Sequence, residues 1–365
     1  MRILLVSRAF TPAVGGIERF AESLAGWLAR RGHVVIVVTR TETDGREPAW
    51  PYRVVRRPSA ERLLALARSA DVVHANGLSL RGVGLGLVSR RPTVVTHHGH
   101  QAVCPTGLCM PRQGACTAGP PLGPCGGCPE RGLKGAGDVR LHDAASRTVA
   151  ENVAVSDYLS SRLRLPRSRM IYSPVSAEAF DAATDSAGGD GLVVFAGRLV
   201  SEKGLDLLVR AIALVPDARL EVVGDGPMLR DFRGLAEELG LSVRVSFVGS
   251  QSFAGVADAY RRASVVCVPS LWDEPFGFVA AEAMAMQRPL VVTPSGALSE
   301  LCADRRGFVA GDRNATALAS SLTEALADDE ERARRAANAR RFAERALSAD
   351  RAGFAYESLY EEVIA

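Results

Sequence analysis

Residues 192–212 read LVVFAGRLVSEKGLDLLVRAI, and three kinds of segment succeed one another inside them. LVVFA is a short apolar run rich in β-branched residues and without polar alternation, as expected of a strand covered on both faces. GRLVSEKG is a loop closed by a glycine at each end, and it carries Arg198 and Lys203. LDLLVRAI reads as the helix that follows. Strand, glycine-rich loop and helix in that order form the repeating unit of a doubly wound parallel sheet.

The same rhythm runs outward in both directions. Downstream come RLEVVG (219–224), MLRDFRGLAEELG (228–240), VRVSFVG (243–249), SVVCVPS (264–270), a helix around Glu282, and PLVVT (289–293). Upstream lie RILLVS (2–7), IERFAESLAGWLARRG (17–32), HVVIVVT (33–39), RVVR (53–56), ERLLALARSA (61–70), DVVHAN (71–76) and TVVTHH (93–98). Two α/β domains in tandem are expected, at 1–180 and 181–347. DAATDSAGGDG (181–191) has the composition of a linker between them. One long helix is expected over 314–347. The tail, 348–365, carries Phe354, Tyr356, Leu359 and Tyr360 on a last helix expected to pack back towards the N-terminal domain. Residues 104–137 break the rhythm, and a loop of that length is usually functional or held by something else.

The chain has 365 residues, enough for two cores, with 47% hydrophobic and 23% charged residues, the balance of a globular protein. No apolar run reaches the length of about 18 residues that a membrane span needs. MRILLVSRAF is too short in its apolar part for a signal peptide, so a cytoplasmic location is expected. The net charge of +3 hides an asymmetry: 24 Lys and Arg against 13 Asp and Glu in 1–180, but 20 against 28 in 181–365. A basic N-terminal half would attract an anionic acceptor or membrane surface, or it reflects arginine-rich composition alone. No nucleic-acid partner is expected; peripheral membrane association is left open.

Three loops are candidates for binding phosphate, since backbone N–H groups at a helix N-terminus attract anions. AFTPAVGGIERF (9–20) puts Gly15 and Gly16 ahead of a helix, but with neither GxGxxG nor Walker spacing, which argues against a nicotinamide or NTPase site. In the opening stretch, Arg198 and Lys203 could clamp a diphosphate at the carboxyl end of a parallel strand, or be ordinary surface cations. PSLWDEPFGFVAAEAMAMQRP (269–289) turns at Pro275 and Gly277, which would aim the N–H groups of Gly277, Phe278 and Val279 at a phosphate or sugar. Glu274 precedes that turn and Glu282 lies inside the helix. Carboxylates accept two hydrogen bonds from vicinal hydroxyls, so the pair could bracket a sugar nucleotide.

These segments together resemble the retaining GT-B glycosyltransferases often called family 4. The resemblance runs nearly end to end, through GGIERFAESLAGWLARRGHVVIVVT, DVVHAN, VVTHHGHQAVCP, FAGRLVSEKGLDLLVRAI, VVGDGP and PSLWDEPFGFVAAEAMAMQRPLVVT. The seven-residue spacer between Glu274 and Glu282 is its most specific element. It implies two Rossmann-like domains facing a central cleft and a nucleotide-sugar donor, most readily a UDP-sugar. The acceptor would be a small molecule, a glycan or a lipid-linked sugar, and no catalytic metal would be needed. It further implies that Gly15 and Gly16 approach the donor diphosphate, that Arg198 and Lys203 neutralise it, that Glu282 takes the ribose hydroxyls and that Glu274 takes the sugar hydroxyls. His98 would stand beside the transferred sugar and acceptor, with neither glutamate a nucleophile. Gly99 replaces an acidic residue common after that histidine, and Asn76 replaces a commoner histidine on the acceptor side. A sugar-nucleotide epimerase of the same fold and a non-catalytic nucleotide-binding protein are the alternatives.

Five of the seven cysteines, Cys104, Cys109, Cys116, Cys125 and Cys128, crowd into one segment. Cys125-Gly-Gly-Cys128 has zinc-knuckle spacing, and two of the remaining three could complete a structural tetrahedron. Reduced thiols lining an acceptor loop are the other reading. Cys267 and Cys302 sit in apolar runs, as buried small hydrophobes do.

Overall fold

The computed structural model describes all residues except 14, 44, 46, 105–132 and 184–189. Its contacts divide the chain into two units, Met1–Ser176 with Leu347–Ala365, and Ala177–Ala346.

The first unit is built on seven parallel strands: β1 (Arg2–Ser7), β2 (Val34–Thr39), β3 (Arg53–Arg56), β4 (Val72–Asn76), β5 (Thr93–His97), β6 (Glu151–Ala154) and β7 (Ser168–Met170). Their order is β3-β2-β1-β4-β5-β6-β7. The apolar runs behave as their composition predicts: every residue of β4 and β5 is buried. The second unit has six parallel strands: β8 (Leu192–Ala196), β9 (Arg219–Val223), β10 (Val245–Gly249), β11 (Val265–Val268), β12 (Leu290–Val292) and β13 (Phe308–Val309). They run β10-β9-β8-β11-β12-β13. Cys267 lies in this unit's core and Cys302 is buried.

In each sheet the strand order reverses once, between β1 and β4 and between β8 and β11. Loops on either side of such a reversal diverge and leave a crevice at the carboxyl ends of the strands, where α/β proteins bind ligands. The helix starts differ accordingly. Ser59, Ser79, Ser156, Ser252, Asn314 and Ser348 cap their helices by accepting a backbone N–H three residues on. The helices Gly16–Arg30, Leu205–Ala213, Phe278–Ala285 and Ala297–Leu301 instead start from Gly15, Gly204, Gly277 and Gly296, which have no side chain to offer.

Two expectations need correction. The boundary falls at 176/177, not 180/181, because Ala177–Asp181 is already a helix of the second unit. Arg340 holds it there, donating to the Phe180 carbonyl at 3.0 Å and to that of Ala285, with its guanidinium 5.0 Å from the Phe180 ring centroid. The single helix over 314–347 is two, Ala315–Ala327 and Asp329–Ala346. Asp328 breaks it in extended conformation, and its carboxylate accepts the Glu331 N–H at 2.8 Å as a new cap.

The terminal helix Ala349–Ile364 is part of the first unit. Asp350 accepts the Trp27 indole N–H at 2.7 Å, and Glu357 takes His33 at 2.7 Å and Arg31 at 3.3 Å. Gly353 lies so close to Trp27 that an added Cβ would come within 2.2 Å of the indole. Deeper in, Tyr360 bonds His74 Nδ1 at 2.6 Å, His74 Nε2 bonds Thr96 at 2.8 Å, and Thr96 bonds Tyr356 at 2.8 Å.

Candidate functional site

In the second unit the two loops at the reversal of the sheet are locked to one another. β8 leads into Gly197 and Arg198, followed by a turn of 3-10 helix, Ser201–Lys203, and Gly204. β11 runs into Pro269, Ser270 and the Glu274 loop. The Leu271 N–H donates to the Glu202 carbonyl at 2.9 Å. Gly204 has φ 67°, and a Cβ there would come 2.0 Å from the Pro269 carbonyl oxygen, so only glycine lets the loops meet.

That contact brings Lys203 to Glu274. The ammonium reaches Oε1 at 2.7 Å and lies 5.3 Å from the Trp272 ring centroid. Ser270 donates to the same oxygen at 2.7 Å. Glu274 is only 5% exposed, a depth at which a carboxylate requires such partners. Arg198 is its opposite: exposed, with no side-chain partner among the described residues. Glu282 is buried on the Phe278–Ala285 helix, whose first turn holds Phe278 and Val279 after the left-handed Gly277 (φ 98°).

Much of the scaffold behind Glu274 was not foreseen. Thr293 and Ser295 follow β12 and donate to the Ser270 carbonyl at 2.7 and 2.5 Å. The Glu274 carbonyl accepts the Ala297 N–H at 2.9 Å. Arg313 donates to the Leu271 and Pro294 carbonyls, each at 2.9 Å, and to the Asp273 carboxylate, tying both loops from behind. Ser270 stands in the quoted motif four residues before Glu274, and the hydroxyls of TPSG (293–296) follow a strand end; both could have been noticed. Arg313, 40 positions from its ion-pair partner, leaves no local signal.

The first unit places Gly15, Gly16, Asn76 and His98 at the carboxyl end of its own sheet, and one side chain organises them. Asn76 ends β4 and is 4% exposed. Its amide nitrogen donates to Ser7 Oγ on β1 and to the Ile17 carbonyl, each at 3.0 Å, which fixes the helix start behind the glycine pair. Its oxygen is left to accept, and His98 Nε2 reaches it at 2.6 Å. The His98 proton therefore sits on Nε2. Nδ1 is a lone pair without a hydrogen-bond partner among the described residues. Phe20 packs edge-on against the imidazole at 4.7 Å, and burial, reinforced by His74 and His97, pushes its pKa down to about 3. His98 is thus a neutral imidazole.

The neighbouring histidines are structural. His97 bonds Asn152 at 2.9 Å, and Asn152 in turn donates to the Ser146 and Pro166 carbonyls. His100 is fully buried, packed edge-on against Tyr158. Cys104 is buried, while Cys109, Cys116, Cys125 and Cys128 lie outside the described residues. No helix among the described residues is long and apolar enough to cross a membrane.

Comparison with known proteins bears on the family and the fold. Residues 14–179 match the family described as Glycosyltransferase Family 4, and residues 176–342 match Glycosyl transferases group 1. The chain is 30% identical over 339 residues to a D-inositol 3-phosphate glycosyltransferase of Mycolicibacterium vanbaalenii, covering 79% of this chain and 72% of the relative. Its fold matches a sucrose-phosphate synthase from Thermosynechococcus elongatus with TM-score 0.77 at 21% identity, over 99% of this chain and 98% of the other. It likewise matches Anabaena HepE, solved in complex with UDP, with TM-score 0.75 at 19% identity, over 99% and 100%. The chain belongs to the family 4 glycosyltransferases, with the two Rossmann-like domains of the GT-B fold.

Proposed function

We propose that the protein transfers a sugar from a UDP-sugar to an acceptor hydroxyl with retention of anomeric configuration and without a catalytic metal. The observation that carries this reading is the Lys203–Glu274–Ser270 cluster at the reversal of the second sheet, beside Arg198, which has no side-chain partner among the described residues. A diphosphate placed there would meet Arg198 directly. Lys203 would turn from Glu274 to the phosphates, while Ser270 keeps the freed carboxylate in place to accept hydroxyls of the sugar. Glu282 takes the ribose hydroxyls. The Gly15–Gly16 loop and the uncapped first turn of Phe278–Ala285 supply N–H donors to the anion. Charge developing on the leaving diphosphate is where fixed cations lower the barrier most. With neither glutamate acting as nucleophile, the acceptor hydroxyl attacks on the face from which the diphosphate departs, and a phosphate oxygen takes its proton. His98, neutral and oriented by Asn76, serves the transferred sugar and the acceptor by hydrogen bonding, not by charge.

That HepE was solved with UDP and with UDP-glucose supports trying uridine donors first. The acceptor class is a small molecule, a glycan or a lipid-linked sugar, used in the cytoplasm. The cysteine segment belongs to the proposal as a structural zinc held by four of Cys104, Cys109, Cys116, Cys125 and Cys128, checked by metal content against protein concentration.

Product analysis by NMR tests the reading. With UDP-glucose and an acceptor panel in buffer without added divalent metal, a glycoside of retained configuration is expected. An inverted product would overturn the mechanism. Interconversion of free nucleotide sugars would point to the epimerase, and UDP binding without turnover to a non-catalytic protein.

A further inference from the structure

The helix Leu80–Ser89 reads LRGVGLGLVS, apolar on all sides, with Arg81 its single charge. Such a helix is ordinarily buried all round. Its inner face is, through Val83, Leu85 and Gly86. Its outer face is not: Leu80 is 38% exposed, Leu87 56% and Val88 63%. The adjacent helix Leu133–Ser146 exposes Leu141 as well. Single exposed apolar side chains are commonplace, but a run of them on neighbouring helices marks a surface that something covers.

Along the first of these helices and the two residues after it the charges are of one sign, while the neighbouring helix carries Asp138 and Asp143, the latter paired with Arg147 at 3.0 Å. Residues 80–91 contain Arg81, Arg90 and Arg91 and no acidic residue. Arg81 and Arg90 are exposed, with no side-chain partner among the described residues. Leu87 borders a pocket at the foot of β5 that is lined by Arg90, Arg91, Arg167, Thr93 and Thr148, with no carboxylate in its lining. Backbone carbonyls hold two of these cations in place: Arg91 donates to the Arg68 carbonyl at 2.6 Å, and Arg167 to that of Val149 at 3.1 Å. Carbonyl contacts orient a guanidinium without neutralising it.

We propose that this face of the first unit docks on an anionic lipid bilayer. Leu87 and Val88 enter the boundary between headgroups and acyl chains, and the pocket of Arg90, Arg91 and Arg167 takes a lipid phosphate. The pairing decides the occupant. A polyanion such as a nucleic acid would use the arginines and leave the leucine and valine in water, whereas an interfacial helix needs both kinds of side chain on one face. The proposal does not depend on the transferase reading, and its test needs no turnover.

The full chain is sedimented with phosphatidylcholine vesicles containing about one third phosphatidylglycerol and with pure phosphatidylcholine vesicles. Binding to the first and not the second is expected. Each cation at an anionic surface is worth about fivefold in partition. Arg81→Glu/Arg90→Glu should therefore weaken binding by at least about tenfold, and the charge-neutral Leu87→Ser/Val88→Ser by a comparable factor. Val243→Glu, at a 97% exposed position of the second unit, and the exposed Arg53→Glu should stay within about twofold of the parent. All these side chains face solvent, and unchanged melting temperatures verify folding. Failure to sediment with the anionic vesicles would overturn the proposal, as would binding unaffected by either double substitution. If the arginine pair abolishes binding and the Leu87/Val88 pair leaves it intact, the surface binds polyanions in general and the bilayer assignment is wrong.

Discussion

The reversals of strand order in the two sheets are built alike and furnished oppositely. In the second unit, the candidate site is made of charge: Arg198 without a side-chain partner among the described residues, Lys203 paired with a buried Glu274. In the first, it is made of neutral hydrogen bonds, with His98 held uncharged and Asn76 fastening it to Ser7 and Ile17. The halves' overall charges run the other way. The basic N-terminal half keeps its site neutral and carries its arginines elsewhere, while the acidic half sets its cations at the strand ends. Net charge describes how a domain is approached; it does not describe the chemistry at its sheet's edge.

Acid should separate the two units most strongly. Burial holds His74, His97 and His98 at about 3, 4 and 3, below the 6.5 of a free imidazole. An unfolded chain binds protons on these residues that the folded one refuses. Their contribution is complete above pH 6.5 and declines as pH falls, by about 1.4 kcal/mol per pH unit for each histidine. All six histidines lie outside 177–346, so nothing comparable titrates in the second unit. There the Glu331 carboxylate, drawn down to about 2 by Arg305 and Arg335, loses its contribution only as pH falls from 4.5 towards 2. Pulse proteolysis in urea at about pH 7 and about pH 5, read by mass spectrometry, should find the first unit losing several kcal/mol and the second little. Equal losses in both would contradict the assignment.

Catalysis should separate them in the other direction. Arg198→Ala removes an exposed side chain without side-chain partners among the described residues, so stability should hold within about 0.5 kcal/mol. Transfer should fall by about 10²–10³-fold if that cation meets the leaving diphosphate. A variant that transfers normally would remove Arg198 from the site.

The Lys203–Glu274 pair should mix both effects. Lys203→Ala leaves Glu274 buried with Ser270 as its remaining side-chain partner, at an expected loss of about 1–3 kcal/mol. Lys203→Ala/Glu274→Ala should recover part of that stability while activity stays low. A thermodynamic cycle on urea denaturation gives the coupling directly. No coupling would mean that the contact is incidental to the fold.

What could be read in advance follows the range of the interactions. Apolar runs declared both sheets because burial of a parallel strand is written in consecutive residues. The candidate residues were legible as positions where a strand end, a glycine and a charge stand within one motif, as around Arg198 and Glu274. His98 was legible as a position but not as a state, since its tautomer is set by Asn76, twenty-two residues away. Arg313 and the boundary at Ser176 were illegible because they depend on contacts with segments that local composition does not describe. The break at Asp328 is different: its cap is local, but a long amphipathic run concealed it.

The terminal helix offers the smallest and most specific test. Tyr356 donates to or accepts from Thr96, and Thr96 also bonds His74, the residue that Tyr360 bonds from the other side. Burial pushes the Tyr356 phenol well above its usual pKa, so the neutral hydroxyl persists across the accessible range. Tyr356→Phe keeps the ring packed on Phe20 and His74 and deletes only the hydroxyl. Thr96 retains His74, so the loss should be about 1 kcal/mol and not the full penalty of an orphaned group. Phe20 touches both Tyr356 and His98, at 5.6 and 4.7 Å, so any displacement would reach the imidazole through packing. Imidazole nitrogen shifts that move at His74 while those of His98 stay fixed would show that the helix stabilises the first unit without tuning its site. Shifts moving together would make the last turns of the chain a positioning element for His98.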